Sequence, residues 1–309
     1  MRLRMSLIAA TLTVGVWLAT PAWADRFSFS TGSPDGKLGA LSRPASQGLE
    51  TETADDFVLT QATVVSGATI HGLIPAVSSI AKVEVEIYHI FPLDSDTVRT
   101  PSVKTRMNSP SDVEIDAATR DSSEGSLSFN ARPISPFMVL STVTDGINKA
   151  PNQTTNGEGP ASGEQVEIDI SFNPPLFLPA GHYFFRPEVQ VSVGNFLFLS
   201  APKPITSGTP FPAGTTDLQA WIRNANLAPD WSRIGTDIIG GTPAPTFNMT
   251  FSLTGQTVPA SGAPGQASCH GSTVSALARQ FGGLDAASLT LGFSSVGTLQ
   301  DGIGVFCGP

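Results

Sequence analysis

Apolar and polar residues alternate with a period of two along several stretches of this chain, and no other feature restricts its fold so tightly. In KVEVEIYHIF, Val83, Val85, Ile87 and Phe91 fall on one side of an extended backbone, while Glu84 and Glu86 fall on the other. QVEIDISF repeats the pattern with Val166, Ile168, Ile170 and Phe172 against Glu167 and Asp169, and TFNMTFSL does so with Phe247, Met249, Phe251 and Leu253. Strands with one dry and one wet face belong to antiparallel sheets packed face to face. The predicted fold is therefore all-β, an antiparallel, jelly-roll-like β-sandwich over residues 25–255.

Further strands are expected at TVVSGATIHGLI, SLSFN and PFMVLSTV, and GHYFFRPEVQVSVGNFLFLS reads as a hairpin turning near Gly194 and Asn195. One segment before residue 270 has helical spacing: Asp217 to Leu227, with Leu218, Trp221 and Ile222 behind a capping Asp217. The polar stretch from Phe91 to Gly125 reads as a long surface loop with minor strand content. With 40% hydrophobic residues the chain has material for a substantial core, and its 30 Gly and 25 Pro supply many turns.

Residues 1–24 have the three parts of a secretory signal: Arg2 and Arg4, an apolar run from Leu7 to Leu18, and Ala22-Trp23-Ala24 as a small-x-small cleavage site. The run is shorter than the roughly 20 apolar residues that span a bilayer, and no later stretch is a membrane candidate. The expected location is secreted, periplasmic or at the cell surface, with no membrane span after cleavage. Export favours a disulfide between the only two cysteines, Cys269 and Cys307, over a metal pair or a free thiol. Residues 256–268 read as a flexible linker. Residues 269–309 then read as a small helical module: one helix capped by Ser272 and stopped at Gly282-Gly283, one starting at Asp285, and one capped by Ser295 with Val296, Leu299, Ile303 and Phe306 on one side.

Two stretches carry a resemblance. FSFSTGSPDGKLGALSRPASQGLETETADDFVL, together with VEVEIYHIFPLDSD, LPAGHYFF and PTFNMTFSLTG, resembles a family of exported bacterial β-rich proteins without an assigned activity, many of which end in a PEP-CTERM-like tail. The closing stretch, with Cys269-His270-Gly271, VSALARQFGGL, LGF, LQ and Cys307, resembles a short CHG…FC module at the ends of other exported bacterial proteins. VSALARQFG is also similar to the first helix of the peptidoglycan-binding LysM repeat, without the strand and G-D-T approach of that fold. The resemblances imply an exported β-rich body with a disulfide-bracketed tail and carry over no catalytic residue.

Removing Arg2 and Arg4 takes the formal net charge from −9 to −11, which argues against nucleic acid and anionic membranes as partners. His71, His89, His182 and His270 are too far apart for a local metal motif, and strand parity makes His89 a core residue and places His182 on a wetter face. Glu84, Glu86, Glu167 and Asp169 all point outward and would repel as direct neighbours, unless strands intervene, Arg186 offsets them, or a calcium ion does. Calcium takes carboxylates from loops; Asp55 with Asp56, and Asp94 with Asp96, are the leading ligands, and Asp112 with Asp116 is a further pair. No other cofactor is implied.

There is no nucleophile elbow, P-loop or dinucleotide fingerprint, and the outward acids give no reason for the raised pKa a glycosidase acid needs. The expected function is non-catalytic: binding a cell-surface or matrix glycan or protein, or a structural surface role. His182, Arg186, Trp221 and Trp231 form the expected ligand patch. A carbohydrate-binding module and a secreted hydrolase whose site is not visible as a motif are the alternatives.

Overall fold

A computed structural model describes residues 25–91, 107–147, 154–259 and 262–308. Residues 1–24, where a secretory signal is expected, and Asp94 and Asp96 lie outside the described residues. The strands are β1 (Arg26–Ser30), β2 (Leu38–Leu41), β3 (Thr51–Leu59), β4 (Thr63–Ile74), β5 (Ile80–Ile90), β6 (Pro110–Glu114), β7 (Arg120–Asp121), β8 (Leu127–Val139), β9 (Ser141–Val143), β10 (Ala161–Leu178), β11 (Gly181–Val191), β12 (Leu197–Ala201), β13 (Trp221–Asn224), β14 (Ser232–Arg233), β15 (Asn248–Met249) and β16 (Phe251–Thr257). They form two curled sheets. One runs β1-β16-β4-β12-β2-β9, with β10 joining β4 to β8 and β15 beside β12; the other runs β14-β13-β3-β11-β5-β6, with β7 beside β5. Among the described residues the pairing is antiparallel except between β2 and β9.

The alternating stretches supply the core between the sheets. Val83, Val85 and Ile87 from one sheet meet Val166, Ile168 and Ile170 from the other, all buried. Aromatic rings join the layers, with Phe185 of β11 stacked on Phe251 of β16 at 5.0 Å. Burying such a ring contributes roughly 1.5–3 kcal/mol, so this layer dominates the packing. Gly72 of β4 lies under the ring of Phe196, where a Cβ would come within 1.9 Å, so only glycine fits.

Three local expectations change. β11 and β12 lie in different sheets, so the turn at Gly194 (φ 75°) carries the chain across the sandwich and no hairpin forms. Asp217 to Leu227 is not helical: Trp221–Asn224 is a strand against β3, with Trp221 opposite Ala54 and Arg223 opposite Glu52. Period two puts Trp221 and Arg223 on the same face, which a helical turn would not. SLSFN and PFMVLSTV belong largely to one strand, β8, which passes through Pro133 and Pro136. Proline is tolerated because β8 is an edge, paired among the described residues with β10 alone.

The C-terminal helices are α1 (Cys269–Phe281), α2 (Leu284–Leu291) and α3 (Val296–Cys307), and the Cys269–Cys307 disulfide joins the start of α1 to the end of α3. α1 begins a turn before Ser272. Left-handed Gly282 and Gly292 end the first two helices, and Ser295 caps α3 by accepting a hydrogen bond from Thr298 N–H at 3.1 Å. Leu277, Leu291, Leu299, Ile303 and Phe306 form one apolar cluster with Ala62, Val64, Phe177 and Val258 of the sandwich. Phe306 stacks on Phe177 at 4.5 Å. β16 itself continues to Thr257, paired with Thr63. None of the helices among the described residues is long and apolar enough to cross a membrane.

Candidate functional site

The face of the second sheet that parity marks as wet is buried. Register places Arg186 of β11 opposite Glu86 of β5, Glu188 opposite Glu84, and Phe184 opposite both Tyr88 and Asp56. On the neighbouring strands Glu52 and Arg223 join the same face. Leu218, Trp221 and Trp231 close over it, forming a second apolar cluster with Ala54, Tyr88 and Phe184. The chain between Asp217 and Trp231 thus acts as a strap that joins the edge of the sheet through β13 and covers this face with the side chains on and beside that strand.

Arg186 is only 2% exposed and is surrounded by acids. Its Nη2 lies 2.5 Å from Glu86 Oε1, its Nη1 3.1 Å from Glu188 Oε2 and 3.7 Å from Glu84 Oε1, and its Nε 3.1 Å from Glu52 Oε1. Arg223 pairs with both oxygens of Glu52, donates to Tyr88 Oη at 2.9 Å, and lies 4.4 Å from the Trp231 ring centroid. Tyr88 Oη donates to Glu86 Oε2 at 2.5 Å. At the rim Lys82 bridges Glu84 and Asp121.

Four glutamates surround two guanidinium groups, and their protonation divides accordingly. Burial acts to raise Glu52, but Arg186, Arg223 and Tyr88 outweigh it and hold Glu52 below the usual carboxylate range. Burial wins at Glu86, pushed up to about 7, and at Glu188, pushed up to about 8, against the pull of Arg186 on each. Burial would lower Arg186, yet Glu52, Glu188 and Glu86 keep its pKa above the ordinary value. The acids of this face are thus offset by arginine. The other outward pair sits in the opposite sheet, where Glu167 meets Arg132 and His71 and Asp169 accepts from Thr69.

Asp55 and Asp56 project to opposite faces of β3, so they do not hold one calcium ion together. Asp55 accepts from Met249 N–H at 2.7 Å; Asp56 accepts from Leu218 N–H at 3.1 Å and bonds His182 Nε2 at 2.5 Å. Burial raises both carboxyls well above the usual range and lowers His182 to about 4. Among the described residues no group of three or more His, Cys, Asp or Glu is arranged to hold a metal ion.

The expected ligand patch is not a surface. Arg186, Trp221 and Trp231 are buried, and His182, the most accessible of the four, is turned into Asp56. The tryptophans pin the strap to the sheet, so Trp231 offers no platform to a sugar. Glu52, Tyr88 and Arg223 escaped sequence reasoning, although TETADDF carried the signal: Glu52, Ala54 and Asp56 share one parity. His89 keeps the parity of Ile87 but lies past the end of the core and is exposed.

An open cleft of about 440 Å³ lies where the helical module meets the sandwich. Phe177, Tyr183, Phe306 and Val305 give it apolar walls, and His89, Glu114 and Asp116 give it polar groups. The His89 and Tyr183 rings are 5.4 Å apart, and Tyr183 is anchored by its Oη donating to Pro179 O at 3.0 Å. On the far side of Phe177 and Val305 lies a smaller hollow beside Arg120, whose guanidinium is tied to the Pro174, Ala117 and Thr119 carbonyls. In comparisons with known proteins, no family model, curated protein or solved structure matches the chain.

Proposed function

We propose that this chain is an exported, non-catalytic binding protein that takes a small, largely apolar ligand in the cleft between the sandwich and the disulfide-bridged helices. The cleft carries this reading: its volume falls in the range of small-molecule sites, and apolar walls with few polar groups are what such sites use. The signal-like residues 1–24 and the disulfide support export. Titration with Nile red tests the cleft. The expected result is saturable binding that Val305→Trp, which fills the cleft from an exposed position, weakens at least roughly tenfold. Absence of saturable binding, or binding indifferent to that substitution, would remove the cleft as the site.

A secreted hydrolase remains the second reading because Asp56 engages His182 as a carboxylate orients a catalytic imidazole. Among the described residues, no serine, threonine or cysteine side chain bonds the other ring nitrogen of His182. Turnover of any ester, peptide or glycoside substrate that His182→Ala abolishes, with folding retained, would overturn the non-catalytic reading.

A further inference from the structure

From a different part of the fold, we infer a second binding site, for a neutral hydroxyl-rich ligand of the sugar class, in the pocket beneath the start of the strap. This pocket, about 270 Å³, is lined by Lys203, Asp217, Gln219, Trp221 and Arg233, with Asn108 among the remaining wall residues. Its construction follows from the non-helical chain that leads into β13 and supplies Asp217, Leu218 and Gln219 to the wall. Strand register brings Arg233 in opposite Trp221.

The wall contains charges, but each is answered within the chain. Lys203 Nζ meets Asp217 Oδ1 at 2.7 Å and donates to Asp217 O at 2.7 Å, Leu218 O at 2.6 Å and Asn248 Oδ1 at 3.2 Å. Arg233 closes on Asp237 through bonds of 2.8 and 2.7 Å. With every charge paired, a charged ligand would have to break an ion pair to be recognised; a neutral one does not.

Two polar atoms are left over. The Trp221 indole N–H belongs to a residue only 2% exposed and has no hydrogen-bond partner among the described residues, and neither does the buried Gln219 Oε1. Unmade hydrogen bonds of buried groups are costly, so native structures seldom leave a buried donor or acceptor unpaired. Gln219 is held by one long bond, from Nε2 to Thr236 Oγ1 at 3.4 Å, so rotation of its amide offers either end to a ligand. A hydroxyl both accepts from N–H and donates to C=O, and adjacent hydroxyls on a ring supply both functions at short spacing. The Trp221 and Arg233 side chains add an aromatic and a guanidinium surface beside them, 5.8 Å apart.

The test uses the whole mature chain and calorimetric titration with four neutral oligosaccharides: β-1,4-glucose, α-1,4-glucose, β-1,3-glucose and β-1,4-N-acetylglucosamine tetramers. At least one is expected to bind with affinity insensitive to salt. Trp221→Phe, which removes the indole N–H and keeps a ring, should weaken it roughly tenfold, and Gln219→Leu should do the same. Should Trp221→Phe disturb the fold, Gln219→Leu alone decides. Val305→Trp, in the other cleft, should leave sugar affinity unchanged, so either site can fail without the other. No binding of any tetramer at millimolar concentration, tighter binding of polygalacturonate than of all four, or affinity unchanged by Gln219→Leu would each overturn the site.

Discussion

Arg186 faces Glu86 across the β11–β5 pair, with its Nη2 2.5 Å from Oε1, and the residue is 2% exposed. It is the cation that makes four glutamates on one sheet face tolerable. Replacing Arg186 with Met keeps the volume and removes the charge, leaving Glu52, Glu84, Glu86 and Glu188 facing one another with Arg223 alone beside Glu52. Breaking a buried pair in this way costs about 3–5 kcal/mol, and urea unfolding should show a loss of that size. Arg186→Lys should recover little of it, because a single ammonium cannot fork between carboxylates as a guanidinium does. A loss below about 1 kcal/mol for Arg186→Met would mean that the pairing contributes no more than an exposed salt bridge.

The same network sets a pH dependence. Glu86 and Glu188 are raised to about 7 and about 8 from an ordinary value of 4.5, so the folded chain holds protons that the unfolded chain has released. Stability from these groups is present below the ordinary value and is lost as pH rises through the folded values. His182, lowered to about 4, works in the opposite direction, but only below its ordinary value of 6.5. Between about pH 6.5 and 8.5 the glutamates therefore lower the stability, Asp55 and Asp56 act in the same direction, and the melting temperature should fall. Glu188→Gln, which mimics the protonated acid, should flatten the fall and melt higher than the parent at pH 9. A parent melting temperature that rises across this window would contradict the assignment.

The inward half of the sandwich was legible in the sequence, whereas the outward half of the second sheet was not. Val83, Val85 and Ile87 announce a dry face because apolar side chains have nowhere else to go. Glu84 and Glu86 announce only that their face is polar, and polar faces are usually wet. Whether such a face is covered depends on a distant segment, and the covering strap reads locally as a helix since Leu218, Trp221 and Ile222 fit a helical stripe. Long-range pairing of Trp221 with Ala54 overrides that local preference. The Asp55–Asp56 part of the calcium reading gave way for a related reason. Adjacent aspartates in a loop converge on an ion, but Asp55 and Asp56 lie in a strand, which separates their side chains to opposite faces. The C-terminal helices were the most legible part, because glycine stops and a serine cap are local signals; their docking on Val64 and Phe177 was not.

Trp231 should behave as a structural anchor. It is 1% exposed, packs edge-on to Tyr88 at 5.5 Å, and supports the Arg223 guanidinium. Trp231→Ala should cost about 3–5 kcal/mol, the usual range for deleting a large buried aromatic ring. Chemical denaturation followed by far-UV circular dichroism would measure it. If the variant kept full stability and instead lost binding to a glycan, the ring would belong to a ligand site after all.

The helical module should stabilise the sandwich as well as itself. Its disulfide spans 38 residues, and closing a loop of that length contributes roughly 4 kcal/mol on the chain-entropy model, which three short helices with a small core need in order to persist. Their apolar side is continuous with the sandwich through Phe177, Val64 and Val258, and Gln256 Nε2 adds a 2.9 Å hydrogen bond to Thr290 O. Ending the chain after Pro259 would return those side chains to water. At about 2–4 kcal/mol of lost burial, the melting temperature of the remaining sandwich should drop by roughly 5–10 °C. Replacing both cysteines with serine should move it the same way by a smaller amount, since the helices can still dock part of the time. Scanning calorimetry of the three chains separates the cases. If truncation left the melting temperature unchanged, the packing of Phe306 on Phe177 would be contributing nothing to the stability of the sandwich, and the module would be a passenger on its edge.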